Sequence, residues 1–187
     1  MSCMPEEIIV DQCSPTMAGL KTGNLFTAPA EDRESFTREL REINKLLVPK
    51  GLRLLPLKYT EKYILLYMYR IGDLEKDLNT EEARSILSAR AYPLSNADLC
   101  VVELSKRLRK SSDFPHEIGL FLGYPPEDVK AFIKNKGKGE KFTGTWKVYC
   151  NEESARCTFD RYKRCKGAYL EAYRQNRSID RLIVSCS

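Results

Sequence analysis

The sequence predicts an α+β fold, a small antiparallel sheet packed against several helices in a single domain spanning residues 1–187. Three observations predict it. Leu52–Leu57 and Tyr63–Tyr69 are apolar, strand-like runs separated by a short polar stretch, the pattern of an antiparallel hairpin. Apolar residues recur at helical spacing in several other segments. The 187 residues are 42% hydrophobic and 30% charged, enough apolar material for a buried core and too much for a disordered chain.

Residues 1–30 form an N-terminal segment built around Cys13. Ser14 followed by Pro15 is the signature of an N-cap with proline at the first helical position. A short helix is therefore expected to start there, with Gly19 and Gly23 keeping it brief and Lys21 and Asn24 in the following turn. Glu31–Val48 reads as the first long helix, with Phe36, Leu40, Ile43 and Leu47 on one face and Pro49 and Gly51 ending it. The hairpin follows, although Tyr59–Tyr69 also admits a helical reading. Arg70 closes the second strand.

From Asp73 the pattern is helical. Asp73–Leu78 is short, and Thr80-Glu81-Glu82 opens a helix carrying Ile86 and Leu87. Ser95–Lys110 is expected to face Leu99, Val102 and Leu108 inward and Lys106, Arg107, Arg109 and Lys110 outward. Asp113 reads as the cap of a helix from Pro115, with His116 and Glu117 in its first turn, Ile118, Phe121 and Leu122 buried, and Gly123 at its end. Pro126 starts another helix that closes at Gly137, and residues 134–141 form a Lys/Gly-rich hinge loop. Phe142–Tyr149 alternates as a strand and Glu152–Asn176 is the last long helix, with Cys165 on its apolar stripe and Cys157 nearer the surface. Ile179–Val184 reads as a closing strand.

Charge and composition narrow the function classes. A net charge of +5 permits an anionic partner, but no dense Lys/Arg stripe marks a nucleic-acid binder. No apolar run approaches the roughly 20 residues that span a bilayer, and the acidic start lacks a signal-peptide pattern. A cytoplasmic protein without membrane association is expected. The seven cysteines include no Cys-x-x-Cys pair and read as reduced thiols.

His116 is the only histidine, and it sits in the stretch Phe114-Pro115-His116-Glu117-Ile118-Gly119. A single imidazole without paired thiolates argues against a metal site. What remains is Cys13 as nucleophile or redox thiol, His116 as acid/base and Glu117 as the group orienting it. Haem ligation by Cys13 or His116 is chemically open, but no CxxCH motif accompanies it. Lys21 and Arg70 are candidate anion-binding groups, joined by Thr16 and Asn24. Tyr124, Lys136, Lys138 and Trp146 are candidate contacts to a ligand or partner.

Several stretches together resemble an uncharacterised family of clostridial and related anaerobic bacteria, carrying the label domain of unknown function 3793. They are Cys13-Ser14-Pro15-Thr16, Ala18-Gly19-Leu20-Lys21, Asn24-Leu25-Phe26, Phe114–Gly119, Leu122-Gly123-Tyr124-Pro125, Glu127-Asp128-Val129, Trp146–Tyr149 and Lys163-Arg164-Cys165. The resemblance spans nearly the whole chain. It implies a cytoplasmic protein of an anaerobe, and it supplies no activity, cofactor or catalytic residue.

Two functions are therefore expected from the residues. One is a small thiol-dependent or redox enzyme acting on a small anionic molecule. The other is a non-catalytic binding or accessory module that contacts an anionic ligand or a protein partner. The cofactor is unassigned.

Overall fold

A computed structural model of the chain describes residues 6–29, 32–111, 113–175 and 178–185. It is an α+β protein whose residues divide into two compact units, residues 1–72 with 164–187 and residues 73–163.

The first unit is built on a three-stranded antiparallel sheet. Strands β1 (Gly23–Pro29), β2 (Leu52–Tyr59) and β3 (Tyr63–Arg70) lie in the order β1-β3-β2. The register pairs Ala28 with Ile64 on one side and Leu54 with Met68 on the other. As the central strand, β3 is buried on both faces from Ile64 onward, which explains its unbroken apolar run. Helices α1 (Glu6–Met17) and α2 (Arg33–Leu47) supply Ile9, Val10, Cys13, Met17, Phe36, Leu40, Ile43 and Leu47 to the core with Ile64, Leu66 and Met68. The Asp32 carboxylate caps α2 by accepting from the backbone N–H groups of Glu34 and Ser35. Asn44, near the end of α2, accepts from the Leu54 N–H at 3.0 Å and donates to the Leu54 carbonyl at 2.8 Å, so its amide pairs with the outer edge of β2.

Three expectations are corrected here. Ser14 and Pro15 do not open a helix but lie in the last turn of α1, where the Ser14 hydroxyl donates back to the Val10 carbonyl. The residues expected as a turn after it, up to Asn24, run instead into β1. The C-terminal segment forms a short helix, α9 (Ile179–Leu182), because Ile179, Leu182 and Ile183 recur at helical rather than strand spacing.

The second unit is mostly helical. It contains α3 (Ile71–Leu78, from Asp73 onward), α4 (Glu81–Ser88), α5 (Ala97–Lys110), α6 (Ile118–Phe121) and α7 (Pro126–Asn135), then β4 (Phe142–Thr143) and β5 (Lys147–Val148). Thr80 caps α4 and Asn96 caps α5 through side-chain oxygens. Helix α5 is rotated from its expected setting. Cys100, Val101, Leu104 and Leu108 face inward, whereas Leu99 and Val102 are 44% and 49% exposed. The run expected as one strand from Phe142 to Tyr149 is a two-stranded hairpin, turned where the Gly144 N–H donates to the Trp146 carbonyl. Helix α8 (Glu152–Arg174) contributes residues up to Lys163 to this unit and the rest to the first. Among the described residues no helix is long and apolar enough to cross a membrane.

Candidate functional site

The residues proposed from the N-terminal motif form a buried polar group in the first unit. Arg70 is 3% exposed, and its guanidinium donates to the carbonyls of Thr16 (3.0 Å), Met17 (3.3 Å) and Val184 (2.8 Å). It thereby satisfies carbonyls that the end of α1 leaves without helical partners. The Thr16 hydroxyl donates to Asn24 Oδ1 at 2.8 Å. Lys21 is buried as well, and desolvation pushes its ammonium down to about 8, partly offset by the neighbouring Cys13.

Cys13 has no exposed surface, and burial pushes its thiol pKa strongly upward despite the nearby Lys21. A reactive thiolate requires the opposite setting, partly exposed and electropositive. Helix α1 starts well before Cys13, so the helix N-terminus expected at this residue is absent. Cys13 belongs to the first unit and His116 to the second.

In the second unit the histidine stretch does not begin a helix at Pro115. His116 and Glu117 occupy a turn before α6 and point to different surroundings. Glu117 is 3% exposed. Its carboxylate accepts from Arg90 Nε and the Tyr92 hydroxyl, both at 2.9 Å, with Arg107 Nη1 at 3.5 Å. The Arg107 guanidinium lies 4.2 Å above the Tyr92 ring and donates to Glu103 and to the Arg90 carbonyl. Burial, with the Glu117 charge beside it, keeps the Tyr92 phenol protonated far above its usual range. Glu117 thus secures a fold contact, and its two strong hydrogen bonds go to groups other than the imidazole. His116 is exposed, its ring edge-on to Phe132 at 5.4 Å between centroids.

These local structures frame an apolar cavity of about 220 Å³. Phe114, Pro115, His116, Ile118 and Gly119 form one wall, Val129 and Phe132 from α7 another, and Tyr124, Asp128, Trp146 and Lys147 complete it. All but Phe132 come from the stretches that carry the family resemblance. Gly119 has a packing reason, since a Cβ there would lie 2.8 Å from Val129 Cγ2 and 2.9 Å from Tyr124 Cδ2. The polar side chains of Asp128, Lys147, Trp146 and Tyr124 are engaged within the protein. Asp128, 3% exposed, accepts from the Trp146 indole and from the N–H groups of Tyr149 and Cys150, each at 2.9 Å. Lys147 Nζ donates to the Gly137 carbonyl and pairs with Glu140. Trp146 is further held by Tyr124 (5.1 Å) and Phe159 (4.5 Å, edge-on). Burial pushes the phenol of Tyr124 up to about 12, and its hydroxyl donates to the Thr145 carbonyl.

Sequence reasoning placed His116, Tyr124 and Trp146 among the candidates, and the structure gathers all three on this cavity. It missed Ile118, Val129 and Phe132, because apolar side chains in helical segments carry no chemical signal that separates a cavity wall from a core. Lys136 and Lys138 are exposed and stand outside the wall. Lys136 adopts the left-handed conformation (φ 51°) that ends α7. Among the described residues no group of three His, Cys, Asp or Glu side chains could hold a metal ion.

The chain belongs to a family described as Protein of unknown function (DUF3793), whose family model matches residues 9–183. No curated protein and no solved structure matches it.

Proposed function

We propose that the protein is a non-catalytic binding module whose second unit takes the flat, apolar ring of a small ligand in the cavity beneath His116. The observation that carries this reading is the combination of an open apolar cavity with a wall carboxylate, Asp128, that is already committed to three donors and so is not available as a general base. Glu117, which lines the neighbouring cleft, is likewise held by Arg90 and Tyr92. Pockets of this kind, mostly apolar and largely preformed, are typical small-molecule sites. Size gives the ligand class. An apolar cavity of roughly 150 Å³ accommodates benzene, so about 220 Å³ suits two fused rings. The thiol-enzyme reading finds no support in the surroundings of Cys13, where burial opposes the thiolate that such chemistry needs.

Saturation-transfer NMR with 2-naphthamide tests the reading. Saturable binding to the parent protein, lost in Ile118→Trp, is the expected result, because an indole at position 118 fills the cavity. Absence of saturable binding, or binding that Ile118→Trp leaves intact while circular dichroism shows both proteins folded, overturns it.

A further inference from the structure

We infer that the ligand of this site is an aryl carboxylate, its ring in the apolar cavity and its carboxylate on Arg90. This rests on the ring-binding reading above and extends it to the ligand's polar end.

A second cleft of about 320 Å³, lined in part by charged residues, adjoins the cavity, and the two share Phe114, Pro115 and His116. The carboxylate assignment places the ring in the first and the charged end across this shared edge in the second. Arg90 and Arg107 line that cleft, but they are not equivalent. Arg107 is committed to Glu103, to the Arg90 carbonyl and to the Tyr92 ring. Arg90 spends only Nε, on Glu117, and its two terminal nitrogens take no other partner among the described residues. Its side chain is 27% exposed and lines the cleft. The Glu117 pairing anchors the guanidinium through Nε. The two terminal nitrogens form the fork of donors that engages a carboxylate.

The charges around the cleft set the number of negative charges it accepts. Glu117 balances Arg90 and Glu103 balances Arg107, while Asp113, exposed and also lining the cleft, adds one negative charge. With no surplus positive charge, an anion here is held by directed hydrogen bonds rather than by the net field, and a dianion meets a larger repulsion than a monoanion. A carboxylate is the better match, and a phosphate monoester binds more weakly.

The test uses three probes on the full-length parent protein at pH 7.5 and low salt, read by titration calorimetry. They are 2-naphthoate, 2-naphthamide and 2-naphthyl phosphate. The expected result is a dissociation constant at least fivefold lower for the carboxylate than for the amide, with the phosphate weaker than the carboxylate. In Arg90→Lys, which keeps the charge and removes the fork, the advantage of carboxylate over amide falls below twofold. Equal affinity of carboxylate and amide for the parent overturns the carboxylate assignment and leaves ring binding standing. Tighter binding of the phosphate overturns it also. Failure of all three probes to bind sinks the ring-binding reading itself.

Discussion

The indole N–H of Trp146 donates to Asp128 Oδ2 at 2.9 Å, joining the β4–β5 hairpin to α7 through a buried carboxylate. The other oxygen of that carboxylate accepts from the N–H groups of Tyr149 and Cys150, just after β5. One side chain therefore ties the helix to both the turn and the far end of the hairpin, and it fixes two walls of the cavity together.

Asp128→Asn keeps the shape but sets an amide N–H group against an existing donor and removes the charge from all three bonds. Hydrogen bonds to charged groups contribute about 1.5–3 kcal/mol each. A loss of roughly 2–3 kcal/mol in urea unfolding is expected, with red-shifted emission from Trp146, the chain's sole tryptophan. Unchanged stability and emission would show that the clasp contributes little.

Glu117→Gln removes a buried charge facing Arg90, Tyr92 and Arg107. Breaking one partner of a buried pair costs about 3–5 kcal/mol; the two arginines are about a quarter to a third exposed, so about 2–3 kcal/mol is expected here. Thermal or urea denaturation reads it directly, and a change below about 0.5 kcal/mol would contradict the network.

Lys21 gives a pH signature. Its folded pKa of about 8 lies below the ordinary 10.5. Below pH 8 both states hold the proton and the burial penalty is at its full value. As pH rises through 8 the folded state releases the proton while the unfolded chain keeps it, so stability increases with pH. Between pH 8 and 9 the parent should gain up to about 1.4 kcal/mol per pH unit relative to Lys21→Met, measured from urea midpoints. The unfolded-state ionisation of the Cys13 thiol, which begins in the same range, acts in the opposite direction in both proteins and cancels in their difference. Parallel profiles for parent and variant would rule out the buried ammonium.

Thiol labelling separates the cysteines by environment. Cys150 and Cys157 are exposed, whereas Cys13 and Cys100 are buried and Cys100 donates to the Pro93 carbonyl. Iodoacetamide should modify the first pair in the native protein and the second only in urea, as peptide mass spectrometry would report. Rapid native labelling of Cys13 would return it to candidacy as a nucleophile. Cys3 and Cys186 lie outside the described residues.

The parts of the fold readable from the sequence are those where one pattern dominates. The run Tyr63–Arg70 has no polar face, which marks a central strand, and Phe36, Leu40, Ile43 and Leu47 permit one helical orientation. Helix α5 was ambiguous because Leu99 and Val102 compete with Cys100, Val101, Leu104 and Leu108, and only tertiary packing chooses between the faces. Ser14-Pro15 misled because the same pair that suits a helix start also fits a last helical turn. At the site, the stretch around His116 was identifiable, but the partners of Glu117 were not. Arg90, Tyr92 and Arg107 lie 27, 25 and 10 residues away, and no local pattern connects them.

The pairing of Asn44 with Leu54 has a consequence for the protein at high concentration. An edge strand with open N–H and carbonyl groups invites strands of other molecules. On β2 the outward groups of Leu54 are occupied by a side chain of the same molecule. Pro56, two residues on, has no N–H to offer, and the register shifts immediately beyond it. A foreign strand approaching this edge finds its ladder interrupted at two consecutive outward positions. The middle of the β2 edge is a poor template for growth, so strand addition is disfavoured there while α2 stays docked.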